Sequence, residues 1–177
     1  EEGVKLEIIT PRERRDFYYG EDWRVQNYSG SGHFTAESVF VGYGIHAPDK
    51  KYDDYAGLDV KGKIVLLATG TPQKIGKELG EEASMGKRFE AAQKLGARGI
   101  MTFRPVTFGQ ATPQERFFRM EIKKELYKPD FVMLWVESKV ADFIFKDLDK
   151  EIGDLLQEID GKAQPQSFGT DVKAFVA

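Results

Sequence analysis

Alternating hydrophobic and polar residues predict a strand near each end of the sequence. In VKLEII, Val4, Leu6 and Ile8 fall on one side and charged residues on the other, as in a strand with one buried face. SFGTDVKAFVA, at 167–177, shows the same alternation. Its predicted inward positions are Phe168, Thr170, Val172, Ala174 and Val176.

Three short segments predict strands, and the first and last of them are apolar runs typical of strands covered on both faces. They are KIVLLAT at 63–69, ARGIMTF at 97–103 and FVMLWV at 131–136. HFTAESVFVGYGI, at 33–45, is rich in β-branched and aromatic residues and predicts a further strand.

Steps of three and four between apolar residues predict a helix from Met85 to about Leu95. Ser84 is placed to cap its start, and Gly96 fits the position just past its end. The predicted inner face carries Phe89, Ala92 and Leu95. The face predicted to point to water carries Lys87, Arg88, Glu90 and Lys94.

A second helical region has an apolar stripe that runs over 140–159, about six turns. Ser138 is placed to cap its start. Gly153 is expected to bend or split it, and Gly161 and Pro165 are expected to terminate it.

The strand at 63–69, the helix at 85–95 and the strand at 97–103 form a βαβ unit, which predicts that the two strands are parallel. The remaining segments are rich in turn and charged residues and are interpreted as connections: 10–32, 47–62, 70–84 and 104–130. The segment 10–32 is interpreted as a long surface connection. Connections as long as the last are uncommon and often functional.

Composition narrows the possible functions. Lys and Arg number 26 against 29 Asp and Glu, and the formal net charge of -3 does not favour a nucleic-acid partner. The absence of cysteine removes disulfides, thiol nucleophiles and cysteine metal sites. No apolar run approaches the ~20 residues that span a bilayer.

The stretch GYGIHA, at 42–47, has the spelling of a dinucleotide-binding fingerprint. Such a site needs a helix that begins at the glycines and points its N-terminus at the phosphates. Pro48 and several charged residues follow instead, among them Asp53 and Asp54. The glycines are therefore interpreted as residues that permit a bend at a strand end.

Few side chains are arranged for catalysis, and no catalytic or metal-ligating residue is assigned. The adjacent acids at 53–54 and 81–82 are interpreted as solvated or capping residues, and no nucleophile elbow occurs. A zinc site would find suitable donors in four side chains that form no metal-binding motif: His33, His46, Asp53 and Asp54.

The connection 104–130 carries the residues assigned to binding. Arginine and aromatic side chains are enriched at the centres of interfaces. The binding candidates are Arg104, Phe108, Arg116, Phe117 and Arg119. The alternative is that the aromatic side chains pack back onto their own domain.

Three segments together resemble the protease-associated (PA) domain: AESVFVGYGI, YDDYAGLDVKGKIVLL and KRFEAAQKLGARGIM, in this order between residues 36 and 101. The form they resemble is the one inserted into bacterial zinc aminopeptidases with two co-catalytic metals, which are relatives of glutamate carboxypeptidase and the transferrin receptor. The resemblance runs from about Ser29 to Phe103 and continues in order from Phe131 to Ala177. The closing SFGTDVKAFVA is similar to the segment by which that chain returns to the peptidase domain.

The resemblance implies an α/β fold, namely a PA-type swivelling β/β/α domain whose mixed curved sheet or open barrel is flanked by helices. It implies that 1–28 is a lead-in strand and linker, that 29–177 is the PA domain, and that the chain is a fragment of a longer peptidase. Zinc is expected in the parent's peptidase domain, and no cofactor is expected in this chain.

The implied function is non-catalytic: to steer or limit peptide access and to mediate protein contacts. The expected partners are the parent peptidase domain and peptide substrates, and the expected location is secreted, periplasmic or at the cell surface. Two alternatives stay open. One is a stand-alone peptide- or protein-binding module, and the other is a small hydrolase that uses the acids near Asp53.

Overall fold

The computed structural model describes residues 4–105, 124–148 and 151–177. The strands are β1 (Leu6–Ile9), β2 (Arg14–Phe17), β3 (Trp23–Val25), β4 (Phe34–Val41), β5 (His46–Ala47), β6 (Tyr52–Asp53), β7 (Ile64–Ala68), β8 (Gly99–Phe103), β9 (Val132–Val136) and β10 (Ser167–Val176). The helices are α1 (Gly76–Leu79), α2 (Met85–Lys94), α3 (Ser138–Phe145) and α4 (Ile152–Lys162). Within these ranges, no helix has the length and apolar character needed to cross a lipid bilayer.

One mixed sheet contains eight strands in the order β2-β1-β10-β4-β7-β8-β9-β3. The neighbours β4, β7, β8 and β9 are parallel, and the outer pairs are antiparallel. β7 and β8 are parallel neighbours in the sheet and α2 lies in the connection between them, so the predicted βαβ unit is confirmed. The predicted α/β class with a mixed curved sheet flanked by helices is confirmed as well.

The sheet must curl strongly because its two edge strands follow each other in the chain. A flat sheet of eight strands would hold its edges about 33 Å apart. The linker between Phe17 and Trp23 reaches about 22 Å at most, and β2 and β3 lie at opposite ends of the strand order. In the structure the indole of Trp23 donates a hydrogen bond to the carbonyl of Phe17 at 2.9 Å. The sheet is therefore curled almost into a barrel.

Side chains of β7 alternate between two hydrophobic clusters, one on each face of the sheet. Ile64 and Leu66 belong to the cluster that also contains the apolar faces of α3 and α4. Val65 and Leu67 belong to the cluster that contains Phe89 of α2. All five β7 residues are buried, which confirms the prediction of a strand covered on both faces. Burial of one such side chain contributes roughly 1.5–3 kcal/mol.

The first and last strands pair with each other. Leu6 lies opposite Val176, and Lys5 and Ala177 exchange two backbone hydrogen bonds of 2.8 and 3.0 Å. The inward positions predicted for β10 are buried from residue 170 onwards, whereas Val4 lies before β1 and is exposed. β10 continues past a register shift at 169–173.

All four segments predicted as connections contain some regular structure, including a 3-10 turn and β6 in 47–62 and a 3-10 turn at Lys124–Leu126 in 104–130. The region 10–32 holds β2 and β3, with Phe17 and Trp23 buried, so its interpretation as a surface connection is wrong. Both strands are short, and the first three residues of β2 are exposed, so they lack the alternation that marks a strand. The region 70–84 contains the short helix α1 and a 3-10 turn at Gly80–Ala83.

The helix boundaries are partly as predicted. Ser84 accepts a hydrogen bond from the amide of Lys87, which confirms the cap of α2, but Leu95 is 37% exposed rather than inward. The second region forms two helices, α3 and α4. α3 begins at Ser138 itself with no side-chain cap, so that cap prediction is wrong. Gly161 lies inside α4 instead of ending it.

Candidate functional site

The structure describes one of the five predicted binding residues. Arg104 directly follows β8, at the edge of the sheet where the parallel strands end. Phe108, Arg116, Phe117 and Arg119 lie outside the described residues. The binding role assigned to this connection therefore stays a prediction.

The glycine-containing stretch after β4 forms a tight turn. The amide of Gly44 donates to Val41 at 2.7 Å, and the carbonyl of Gly42 accepts from Ala68 on β7 at 2.9 Å. Both glycines have positive φ, +54° at Gly42 and +72° at Gly44, a conformation that glycine adopts without steric cost. A short strand, β5, follows rather than a phosphate-binding helix. The interpretation of these glycines as bend residues is confirmed.

A surface segment that we call the strap, residues 45–55, follows this turn. It consists of β5, a 3-10 turn at Pro48–Lys50 and β6, and His46 and Ala47 pair with Asp53 and Tyr52. Lys50 of the strap donates to two carbonyls outside it, those of Glu78 and Leu79, at 2.9 and 2.8 Å. The strap is thereby tied to the end of α1.

Asp54 at the end of the strap is the principal buried acid of the site. Its side chain is 0% exposed, so its prediction as a solvated or capping residue is wrong. One oxygen accepts the amide of Ile45 at 2.9 Å, and the other accepts the hydroxyl of Tyr52 at 3.1 Å. The backbone amide of Asp54 donates to the carbonyl of Ile45 at 2.9 Å. The carboxyl group thus joins both ends of the strap.

Burial raises the pKa of Asp54 to about 7, because the charged carboxylate loses its hydration inside the protein. The hydrogen bonds from Ile45 and Tyr52 and the positive charge of Arg88 act in the opposite direction but do not cancel this effect. A carboxyl group that titrates near neutrality in the interior is uncommon and is therefore of functional interest.

Arg88 on α2 points into the protein and is 2% exposed, so the prediction that it faces water is wrong. Its Nε and Nη2 donate to Ala83 at 3.0 and 2.6 Å, and Nη2 also donates to Gly70 at 2.6 Å. The guanidinium group therefore holds the two ends of the 70–84 segment together. Burial lowers the pKa of Arg88 to about 10, while the negative charge of Asp54 raises it, so Arg88 is cationic at neutral pH.

Three tyrosines surround these charges. The hydroxyl of Tyr43 donates to Asp160 on α4 at 3.1 Å, and the same oxygen of Asp160 accepts the amide of Gln73 at 3.2 Å. Burial, followed by nearby acids, raises the pKa of Tyr43, Tyr52 and Tyr55, so all three are neutral at physiological pH. We call the group the buried polar cluster: Tyr43, Tyr52, Asp54, Tyr55 and Arg88.

The four donors considered for a zinc site do not come together. His46 lies 2.9 Å from Asp53, which also accepts the amide of Tyr55 at 2.9 Å. His33 instead contacts the ring of Phe175, with the ring centroids 5.2 Å apart, and Asp54 is engaged as described above. In the part of the chain that the structure describes, no group of three or more His, Asp or Glu side chains could hold a metal ion.

The burial of Arg88 is not predicted by its residue type, but its position on the helix carries a signal. On the α2 helix, Arg88 lies next to Phe89 and four residues before Ala92, both of which are fully buried. Its position in the apolar stripe was the available signal. For Asp54, the signal was its setting between Tyr52 and Tyr55, two large aromatic residues that flank it closely in the sequence.

Solved structures that match this chain include two aminopeptidases and a peptidase precursor. An aminopeptidase from Aneurinibacillus sp. strain AM-1 matches 99% of this chain with 30% of its own, at 19% identity and a TM-score of 0.53. A zinc aminopeptidase from Bacillus subtilis matches 98% of this chain with 30% of its own, at 13% identity and a TM-score of 0.48. A peptidase M28 precursor from Shewanella amazonensis matches 98% of this chain with 33% of its own, at 14% identity and a TM-score of 0.46.

No family model matches the sequence, and the search of curated proteins finds no match. The chain spans about a third of the length of the solved structures above. At 19% identity, the likeness to the Aneurinibacillus aminopeptidase establishes the fold alone. The protein therefore has the fold of a part, about 30%, of that larger aminopeptidase chain.

Proposed function

We propose that this chain is a non-catalytic accessory domain of the protease-associated type within a zinc-dependent aminopeptidase. Residues 29–177 form the domain, and residues 1–28 are a lead-in that adds β1, β2 and β3 to its sheet. Its role is to steer or limit the access of peptides to an active site elsewhere in a secreted, periplasmic or cell-surface parent. The fold likeness of nearly the whole chain to 30% of an aminopeptidase carries this proposal.

The pairing of β1 with β10 supports the assignment of the proposed lead-in to the same sheet as the proposed domain. Lys5 and Ala177 exchange two backbone hydrogen bonds, and Leu6 lies opposite Val176. β1 and its neighbour β2 are therefore built into the sheet of the domain.

The contacts of the buried polar cluster support a structural rather than a catalytic role. Arg88 is engaged with carbonyl groups of the 70–84 segment, and Asp54 with Ile45 and Tyr52. The paired side chains of His46 and Asp53 are partly exposed. The hydrolase alternative rests on the acids near Asp53, and within this pair the carboxylate of Asp53 can orient the imidazole of His46 as a proton acceptor.

An assay of the purified chain separates these two functions. Aminoacyl p-nitroanilides would be supplied with and without zinc at pH 7.5, and we expect no hydrolysis above the blank. Turnover that is lost in both Asp53→Ala and His46→Ala, but kept in Asp49→Ala, would establish the hydrolase instead. Asp49 is a matched control because it is an exposed acid of the same strap.

The steering role is tested in the parent enzyme. We would replace Arg104, Arg116 and Arg119 by alanine and compare kcat/KM for aminoacyl p-nitroanilides with kcat/KM for longer peptides. A steering domain changes the value for long peptides and leaves that for the small substrates unaltered. Unchanged values for both substrates would reject a steering role for these arginines. Micromolar binding of free peptides to the isolated chain would favour the stand-alone binding module.

A further inference from the structure

The carboxyl group of Asp54, which is itself a residue of the strap, is enclosed in the protein, and its two hydrogen-bond donors are neutral. They are the amide of Ile45 and the hydroxyl of Tyr52, at 2.9 and 3.1 Å. Its exposed fraction is 0%. A charged carboxylate in such a place has lost its water and is hydrogen-bonded only to neutral groups, and the nearby charge of Arg88 offsets that loss only in part. Ionisation therefore favours any conformation that readmits water.

Charged and titratable groups face Asp54 from each element packed around it. Within the strap they are Tyr52, Asp53 and Tyr55, and α2 contributes the cation Arg88. The turn after β4 contributes Tyr43, whose hydroxyl is hydrogen-bonded to Asp160 of α4. The single cation of this set is engaged with the carbonyls of Gly70 and Ala83, while the negative charge of Asp53 opposes a second charge on Asp54.

The strap is also the mechanical link between these elements. Two hydrogen bonds between Ile45 and Asp54 hold its ends together. The amide of Ile45 donates to the carboxyl group of Asp54, and the amide of Asp54 donates to the carbonyl of Ile45. Lys50, at its tip, holds the carbonyls of Glu78 and Leu79. Release of Asp54 would therefore loosen the strap and the neighbouring 70–84 segment together.

We propose that the strap is a pH-sensitive latch, closed over Asp54 while the carboxyl group is protonated and opened locally when the group ionises. The direction follows from linkage. In the closed state burial raises the pKa of Asp54 to about 7 from its ordinary 3.8. The equilibrium constant for opening of the strap therefore increases as the pH rises from about 4 to about 7, and it is constant above that range. Each pH unit within the range increases it up to about tenfold.

Hydrogen exchange with mass spectrometry on the whole chain tests the latch. Peptides that cover residues 42–56 would be followed between pH 5 and 8, with the rates corrected for intrinsic exchange, and peptides that cover β8 serve as the internal reference. In the wild type we expect opening of the strap to increase about tenfold or more from pH 5 to pH 7. In Asp54→Asn, which cannot ionise, opening should not depend on pH.

Tyr52→Phe is the matched control, because it removes one hydrogen bond to Asp54 but leaves the carboxyl group. In this variant the strap should open more than in the wild type at every pH, and its opening should still increase with pH. An Asp54→Asn variant with the pH dependence of the wild type would overturn the proposal. A direct carbon-13 titration of the Asp54 carboxyl in the wild type gives a second readout that needs no variant, and a midpoint below pH 5 would overturn it equally.

Discussion

The indole Nε1 of Trp23 lies 2.9 Å from the carbonyl oxygen of Phe17 and donates a hydrogen bond to it. These residues belong to β3 and β2, the two edges of the eight-stranded sheet. The contact joins the ends of the strand order, and both side chains are buried at the closure.

Trp23→Phe should destabilise the protein by roughly 1–3 kcal/mol, because the carbonyl of Phe17 would lose its donor in a buried position. Urea unfolding followed by circular dichroism measures this change. Tyr19→Phe is the control, since Tyr19 touches Trp23 with its ring but is 55% exposed. It should change the unfolding free energy by less than about 0.5 kcal/mol. Equal effects of the two variants would show that the hydrogen bond does not stabilise the closure.

Arg88→Met should lower the free energy of unfolding by about 3 kcal/mol or more. It removes the donors that hold the carbonyls of Gly70 and Ala83 and leaves Asp54 without a nearby cation. Lys87→Met at the neighbouring position should have little effect, since Lys87 lies on the helix surface and pairs with Glu90. The measurement is again urea unfolding at pH 7. If the two variants are equally stable, Arg88 is dispensable to the 70–84 segment.

Gly44 and Gly57 provide a matched pair of substitutions to alanine. Their φ values are +72° and +74°, but a Cβ at Gly44 would lie 2.8 Å from Leu67, whereas a Cβ at Gly57 meets nothing within 4 Å. Gly57→Ala should cost about 1–2 kcal/mol from backbone strain alone. Gly44→Ala should cost about 1–3 kcal/mol more, because Leu67 is fully buried and cannot move freely. Equal costs would mean that the contact with Leu67 is relieved without strain.

The unfolding free energy should depend on pH through Asp54. Because folding raises the pKa of this group from 3.8 to about 7, its stabilising contribution is complete below pH 4 and is lost as the pH rises through 7. Between these values the wild type should lose up to about 1.4 kcal/mol per pH unit relative to Asp54→Asn. Parallel unfolding curves at pH 5, 6, 7 and 8 measure the difference. A constant difference over this range would contradict a raised pKa in the folded state.

The central part of the fold could be predicted because its elements carry strong local patterns. Ile64–Ala68 is a continuous apolar run and forms β7, and the alternation after Gly169 sets the buried face of β10. Ser84 and Gly96 mark the ends of α2 through capping chemistry that acts within a few residues. In each case the local sequence and the tertiary environment favour the same structure.

The missed features depend on contacts between different elements rather than on a residue pattern within one element. The short edge strands β2 and β3 exist because β1 and β9 offer them partners. Asp54 is buried because β6 pairs with β5 beneath a turn set by Gly42 and Gly44, and Arg88 is buried because carbonyls of another segment accept its hydrogens. A single sequence records none of these partners, so the charge of Asp54 and Arg88 by itself predicts a surface position.

The curvature of the sheet also affects how copies of this protein behave towards one another. An open sheet offers unpaired amide and carbonyl groups along its border, and these can recruit a strand from another molecule and start an aggregate. Here one border is only three residues long and the other begins with charged, exposed residues, Arg14, Arg15 and Asp16. Because the borders turn towards each other as well, the fold leaves little template for intermolecular strand addition.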